Sequence, residues 1–146
     1  MTGMRTLLLV VHIASAAAWF GHKLPIPRDI RVSLGAGGEA ATTMVQRLAA
    51  SSRLGIGSAL LTVVSGVWLL WDAGWSSSTL LGVGILAAIG AIVLGAAGAR
   101  PAWNDLEQAV KSGDDDLAGA YGRRFARFLH LENALWLAAL AAMIAG

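Results

Sequence analysis

Four apolar stretches alternate with polar segments along the chain. They cover residues 4–22, 54–72, 79–99 and 127–145. A helix needs roughly 17 to 25 mainly apolar residues to cross the hydrocarbon core, and the first stretch reaches that length only with its ends in the interface. The pattern predicts an all-α integral membrane protein, a single domain over residues 1–146 folded as a four-helix bundle.

The first span carries a polar stripe. At about 100° per residue, one side of the helix is shared by Arg5, Leu8, His12, Ser15, Ala16, Trp19, His22 and Lys23. An ionisable side chain in hydrocarbon costs several kcal/mol unless it faces protein or a wet cavity. We therefore predict that His12, near the middle of the span, faces the bundle interior and belongs to a functional site. The alternative is a buried histidine hydrogen-bonded to a neighbouring helix.

The fourth span opens with a second polar stripe. Arg123, Arg127, His130 and Asn133 share one side at helical spacing. Glu132 points about 200° away from His130 at helical pitch and lies just inside the predicted hydrocarbon region, where a carboxylate needs a partner. We expect a structural ion pair with Lys23 or Arg53. A proton relay or a ligand role for Glu132 is the alternative.

Small residues mark where helices can approach closely. In the third span, Ala87, Ala91 and Gly95 recur at every fourth position, which is typical of close helix packing in lipid. Thr62 and Gly66 form a similar notch in the second span. We therefore expect the second and third spans to touch there.

The connecting segments contain helix breaks and short amphipathic helices. Pro25 and Pro27 are expected to end the first helix, and Arg100-Pro101 to end the third. Residues 39–53 are predicted to form a helix that lies along the inner membrane surface and runs into the second span. Residues 103–111 are predicted to form a short helix before the fourth span. Residues 72–78 are predicted to form a tight outer loop.

Composition agrees with a membrane protein and excludes several functions. Hydrophobic residues make up 56% of the 146 residues and charged residues only 14%, against about 25% charged in soluble domains. Without cysteine there is no disulfide, thiolate metal site or cysteine nucleophile. The formal charge of +2 is too small to indicate a nucleic-acid partner.

The distribution of basic residues predicts the orientation. The loops after the first and third spans carry ten of the eleven Lys and Arg residues, and Arg5 alone lies on the opposite side. The positive-inside rule places both loops in the cytoplasm, so that both termini lie outside. We expect a multi-pass protein of a bacterial-type inner membrane.

Three histidines are candidate metal ligands: His12, His22 and His130. At about 1.5 Å per residue, His130 lies about 10 Å and His22 about 13 Å to the cytoplasmic side of His12. Two imidazoles on one haem iron need compatible heights, which favours His22 with His130. Alternatively, His12 alone is an axial ligand, with small residues at positions 14–18 leaving room for a flat macrocycle.

Short motifs resemble a known family. His12 followed by Trp19-Phe20 and then Pro27-Arg28 is similar to the first helix of HemJ-type protoporphyrinogen oxidases, four-span membrane proteins that bind haem b. Residues 46–48 with 66–70, and residues 124–129, resemble the second and last helices of that family. The CopD-like group is similar around Arg127 and Glu132. The uncharged third span and the residues around His130 depart from the HemJ pattern.

The resemblance implies haem b or porphyrin binding more strongly than oxidase activity. His12 would be the axial ligand, Trp19 and Phe20 would line the pocket, and Arg28 or Arg127 would pair with propionates, since arginine binds carboxylates bidentately. His130 is a further candidate ligand. Copper handling is less favoured because Met4 and Met143 are isolated.

Two classes of function therefore stand. The first is a haem- or porphyrin-binding membrane protein with a redox role. The second is a non-catalytic membrane subunit or scaffold, which docks another protein or a pigment through the small-residue faces of the third span. A homo-oligomer or a larger membrane complex is the candidate assembly. A transporter is less favoured, because no broken-helix pair or inverted repeat is visible.

Overall fold

The computed structural model describes residues 2–72 and 79–145, and within these ranges the regular structure is helical throughout. The elements are α1 (Thr2–Gly21), α2 (Ile26–Ala36), α3 (Gly38–Asp72), α4 (Thr79–Leu94), a π-helical turn (Gly95–Ala99), α5 (Arg100–Ser112) and α6 (Asp115–Ala145). Four helical segments, which include α1, α3, α4 and α6, are long and apolar enough to cross a membrane. The predicted all-α membrane bundle is confirmed. The predicted outer loop at residues 73–78 lies outside the described residues.

The first helix ends before the prolines, as predicted. The last α-helical hydrogen bond runs from the His22 amide to the Ala18 carbonyl (3.2 Å). Bonds to the third residue back follow, from the Lys23 amide to the Phe20 carbonyl (3.1 Å) and from the Ile26 amide to the Lys23 carbonyl (3.3 Å). Pro27 then lies in the first turn of α2, where a missing N–H costs little. The resulting turn, residues 22–25, holds His22 and Lys23 just beyond the end of α1.

The second span belongs to a much longer helix. The α3 helix has 35 residues, about 52 Å at 1.5 Å per residue, whereas the hydrocarbon core is about 30 Å thick. The helix predicted at residues 39–53 is therefore the unbroken extension of α3 beyond the hydrocarbon, not a separate helix along the membrane surface. Gly37 (φ 69°) and Gly38 (φ 48°) separate it from α2 with backbone angles that favour glycine.

The third span does not end at Arg100-Pro101, and that prediction is wrong. Helical structure continues from Thr79 to Ser112 through the π-helical turn. There the Arg100 amide donates to the Gly95 carbonyl, five residues back. The wider turn changes the hydrogen-bond ladder just where Pro101 lacks a donor and would crowd a carbonyl. The proline is thus accommodated without a break.

The spans pack as two pairs, α1 with α3 and α4 with α6. Among the described residues, α3 and α4 are not one of the main contact pairs. The predicted contact between the second and third spans is therefore wrong. The small-residue face of α4 packs against α6, where a Cβ on Gly84 would lie 3.1 Å from the Ala139 carbonyl oxygen. The notch of α3 packs against α1 instead, with Gly66 beneath His12.

A hydrophobic core joins the ends of the helices on the predicted cytoplasmic side. The amphipathic helices α2 and α5 contribute Ile30 and Leu106, and these pack with Met44 of α3 and Phe125 of α6. This core fixes the depth of the turn that follows α1. Above it, many large apolar side chains of the spans are exposed, as expected of surfaces that contact the lipid bilayer.

Candidate functional site

His12 bonds to the neighbouring helix α3. Its Nδ1 lies 3.0 Å from the Thr62 carbonyl oxygen and 3.1 Å from Ser65 Oγ. The Thr62 hydroxyl in turn donates to Ser15 Oγ at 3.0 Å, one turn further along α1. The polar stripe of α1 therefore faces protein at this depth, as predicted, and meets hydroxyl groups of α3.

These contacts define the tautomer of His12. A carbonyl oxygen only accepts hydrogen bonds, so Nδ1 carries a proton, and in the neutral imidazole the lone pair is then on Nε2. Histidines that ligate metals commonly have this arrangement, with the other ring nitrogen donating to a carbonyl. His12 thus fits the chemistry of an axial haem ligand in this one respect. The ring lies over Gly66, where a Cβ would approach its Cε1 to 3.0 Å.

His22 lies in a different environment. Its Nδ1 donates to the Ala18 carbonyl, one turn back on α1, at 3.2 Å. The Nε2 edge of the ring faces α3, where a Cβ on Gly55 would lie 2.6 Å from Nε2. The glycine therefore makes room for the imidazole. His22 also has a free Nε2 lone pair, but the nitrogen points at a helix backbone.

Glu132 forms an ion pair with Lys23, one of its two predicted partners. The Lys23 ammonium donates to Glu132 Oε1. Glu132 is 2% exposed, so the carboxylate is fully enclosed by the bundle. The ammonium also lies 5.3 Å from the centre of the Trp19 ring, within the range of a cation–π interaction. The other candidate, Arg53, is exposed on α3.

Trp19 is buried at the junction of the two helix pairs. It packs edge to face on Trp136 of α6, with ring centres 4.5 Å apart, and Phe20 packs against the same cluster. Two buried polar atoms nearby on α6, Asn133 Oδ1 and Trp136 Nε1, have no hydrogen-bond partner within residues 2–72 and 79–145. The sequence did not indicate Trp136 as a site residue, because a tryptophan in an apolar span carries no signal for a site.

The other predicted site residues are not gathered around His12. Arg28, Arg127 and His130 are exposed, and neither arginine belongs to an ion pair among the described residues. Across residues 2–72 and 79–145, no three histidine or acidic side chains come together as a metal site. The described residues therefore do not gather all three histidines into one site.

A partly open cavity of about 270 Å³ lies between the two helix pairs, and we call it the central cavity. Of the predicted site residues, Trp19 and His22 line it, whereas His12 and His130 do not. The Lys23–Glu132 pair also reaches its wall. Its full lining is Trp19, His22, Lys23, Ile26, Leu48, Ser51, Ser52, Gly55, Ile56, Ala59, Gly95, Ala99, Arg100, Trp103, Phe125, Leu129 and Glu132.

Compared with protein-family models, curated proteins and solved structures, the chain has no significant match. The resemblance to HemJ-type and CopD-like proteins therefore stays a prediction from short motifs. The described residues define a multi-pass, four-helix membrane protein.

Proposed function

We propose that this multi-pass protein binds haem b or a porphyrin in a bacterial-type inner membrane and has a redox role, with His12 as the axial ligand. One observation carries the proposal. The Nδ1 proton of His12 is directed to the Thr62 carbonyl oxygen of a neighbouring helix, which leaves the Nε2 lone pair for a metal.

Further features support a site on this side of α1. His12 is half-buried rather than fully enclosed. Trp19 and Phe20 follow it by about two turns on the same helix. The guanidinium groups of Arg28 and Arg127 have no ion-pair partner among the described residues, so they are available for propionates. Bound haem would supply one-electron chemistry, while the chain orients the ligand and keeps it in an apolar environment.

The visible spectrum of detergent-purified protein tests the proposal. We expect a Soret band that shifts on reduction with dithionite, either as purified or after titration with haemin. His12→Ala should abolish the band, whereas His130→Ala, which alters an exposed residue, should retain it. A wild-type protein without a Soret band before and after haemin addition would overturn the proposal. A band that survives His12→Ala but disappears in His22→Ala would move the ligand to His22.

A second candidate is a non-catalytic membrane subunit or scaffold, on its own or as a homo-oligomer. The same polar contacts favour it, because His12, Ser15, Thr62 and Ser65 already satisfy one another across α1 and α3. Such contacts stabilise a helix pair without a cofactor, each by about 0.6 kcal/mol in membranes. In this case His12→Ala lowers thermal stability and the protein stays colourless.

A further inference from the structure

The central cavity opens sideways, between α3 and the π-helical turn. The α3 helix packs on α1, α2 and α5, but not closely on α4 or the π-helical turn. Three lining residues on this side, Ser52, Ile56 and Arg100, are exposed, whereas Phe125 and Glu132 at the far wall are buried. Because Ile56 belongs to a membrane span, the opening faces the bilayer close to its predicted cytoplasmic surface.

The lining combines apolar walls with an excess of positive charge. Ile56, Trp103 and Phe125 supply apolar surface, and the charged lining residues are Lys23, Arg100 and Glu132. Lys23 pairs with Glu132, but an ammonium has three donors, so at least one remains for a ligand. Arg100 takes part in none of the ion pairs found among the described residues. One positive charge is therefore uncompensated at the opening.

The backbone is irregular at the same place. Gly95 and Ala99, the first and last residues of the π-helical turn, both line the cavity, and Arg100 follows directly. Single π-helical turns within α-helices occur frequently at functional sites. Here the turn shifts the side chains that follow it, and Arg100 is the first of these. The volume, about 270 Å³, lies just below the range of about 300 to 1,000 Å³ that is usual for small-molecule sites.

We propose that the central cavity binds an amphipathic molecule with a single anionic head, a carboxylate or a phosphate, which enters from the bilayer. The head lies between Arg100 and the free donors of Lys23, where charge-assisted hydrogen bonds form. The first part of the apolar chain contacts Ile56 and Trp103, and the remainder extends through the opening into lipid. The site shares Trp19 with the proposed haem pocket but does not include His12, so its test does not require haem binding.

Binding of three matched probes tests this site. Wild-type protein in nanodiscs of neutral phosphatidylcholine is titrated with radiolabelled oleate, oleoyl lysophosphatidate and oleyl alcohol, which share a chain and differ in the head. We expect at least one of the two anions to bind about tenfold more tightly than the alcohol. This factor corresponds to the lower end of the range for one hydrogen bond to a charged group. Preference for oleate would assign a carboxylate, and preference for lysophosphatidate a phosphate.

Two variants and one control locate the binding. Arg100→Gln should lower the affinity for the preferred anion about tenfold and leave the affinity for oleyl alcohol unchanged. Arg123→Gln removes another exposed arginine, one outside the cavity lining, and should change neither of the two affinities. Ser52→Phe should weaken the binding of the anion, because the larger side chain narrows the opening without altering a charge. The proposal is overturned if neither anion binds more tightly than the alcohol, or if Arg100→Gln binds the anion like Arg123→Gln.

Discussion

Glu132 needs a cation because a carboxylate at membrane depth is costly to leave unpaired, and that requirement is visible in the sequence. The choice between Lys23 and Arg53 is not, since both were expected at a similar depth. It depends on which side of α3 faces the bundle, and Arg53 lies on the exposed side. Lys23 follows α1 in the turn before α2, which directs its ammonium inward to Glu132.

Removing one partner of this buried pair should be strongly destabilising. Lys23→Met leaves the Glu132 carboxylate enclosed without a cation, which typically costs about 3–5 kcal/mol. We expect a clear fall in the midpoint of thermal unfolding in detergent, measured by circular dichroism. The double variant Lys23→Met/Glu132→Leu should recover much of the loss, because no uncompensated charge remains. A Lys23→Met protein as stable as Arg123→Gln would contradict the assigned pair.

For His12, too, the sequence predicted the direction of the side chain but not its partners. The polar stripe of the first span indicated that the imidazole faces protein, and it does. Its partners Thr62 and Ser65 could not be predicted, because the sequence alone does not give the rotation and height of α3 relative to α1. The same is true of Gly66, which lies directly beneath the ring.

At the scale of elements, hydrophobic pattern and length predicted the helices well and their contacts less well. The second span ends at Asp72 and the third begins at Thr79, as the apolar stretches indicated. Pro101 was expected to end a helix because proline usually does. The π-helical turn at Gly95–Ala99 lets the helix continue through Pro101, and no simple sequence pattern predicts such a turn. Small-residue patterns likewise indicate close packing without naming the partner helix.

The contact between α4 and α6 should depend on glycine at one position. A Cβ on Gly84 would lie 3.0 Å from Met143 Cγ and 3.1 Å from the Ala139 carbonyl oxygen, whereas a Cβ on Gly82 meets nothing within 4 Å. Gly84→Leu should therefore destabilise the protein by about 1–3 kcal/mol through overpacking, and Gly82→Leu should not. Thermal unfolding of the two variants in one detergent measures the difference. Equal midpoints would mean that α4 and α6 are not packed as described.

At the scale of the whole molecule, two helix pairs surround a partly polar interior, and amphipathic helices close one end. Hydropathy and length predicted this architecture because apolar helices of spanning length have few alternatives in lipid. The positions of basic residues add a predicted orientation, with both termini expected outside. The interior arrangement, and with it the central cavity, depends on how the pairs meet at Trp19 and Trp136.

The orientation can be tested by labelling, since the chain contains no cysteine. Single cysteines are introduced at exposed positions, Gly3→Cys near the N-terminus and Ser112→Cys at the end of α5. In intact cells, a membrane-impermeant maleimide should label Gly3→Cys, while Ser112→Cys should react only after permeabilisation. The reverse pattern would place both termini in the cytoplasm.

The claim that the bundle shelters His12 in order to hold a cofactor is tested most directly by haem content. The pyridine haemochrome assay is applied to protein purified from cells supplied with a haem precursor. We expect haem b in the wild type and in His130→Ala, at close to one haem per chain, and its loss in His12→Ala while the variant remains folded. A wild-type protein that carries no haem, and takes up none when haemin is added, would contradict the account.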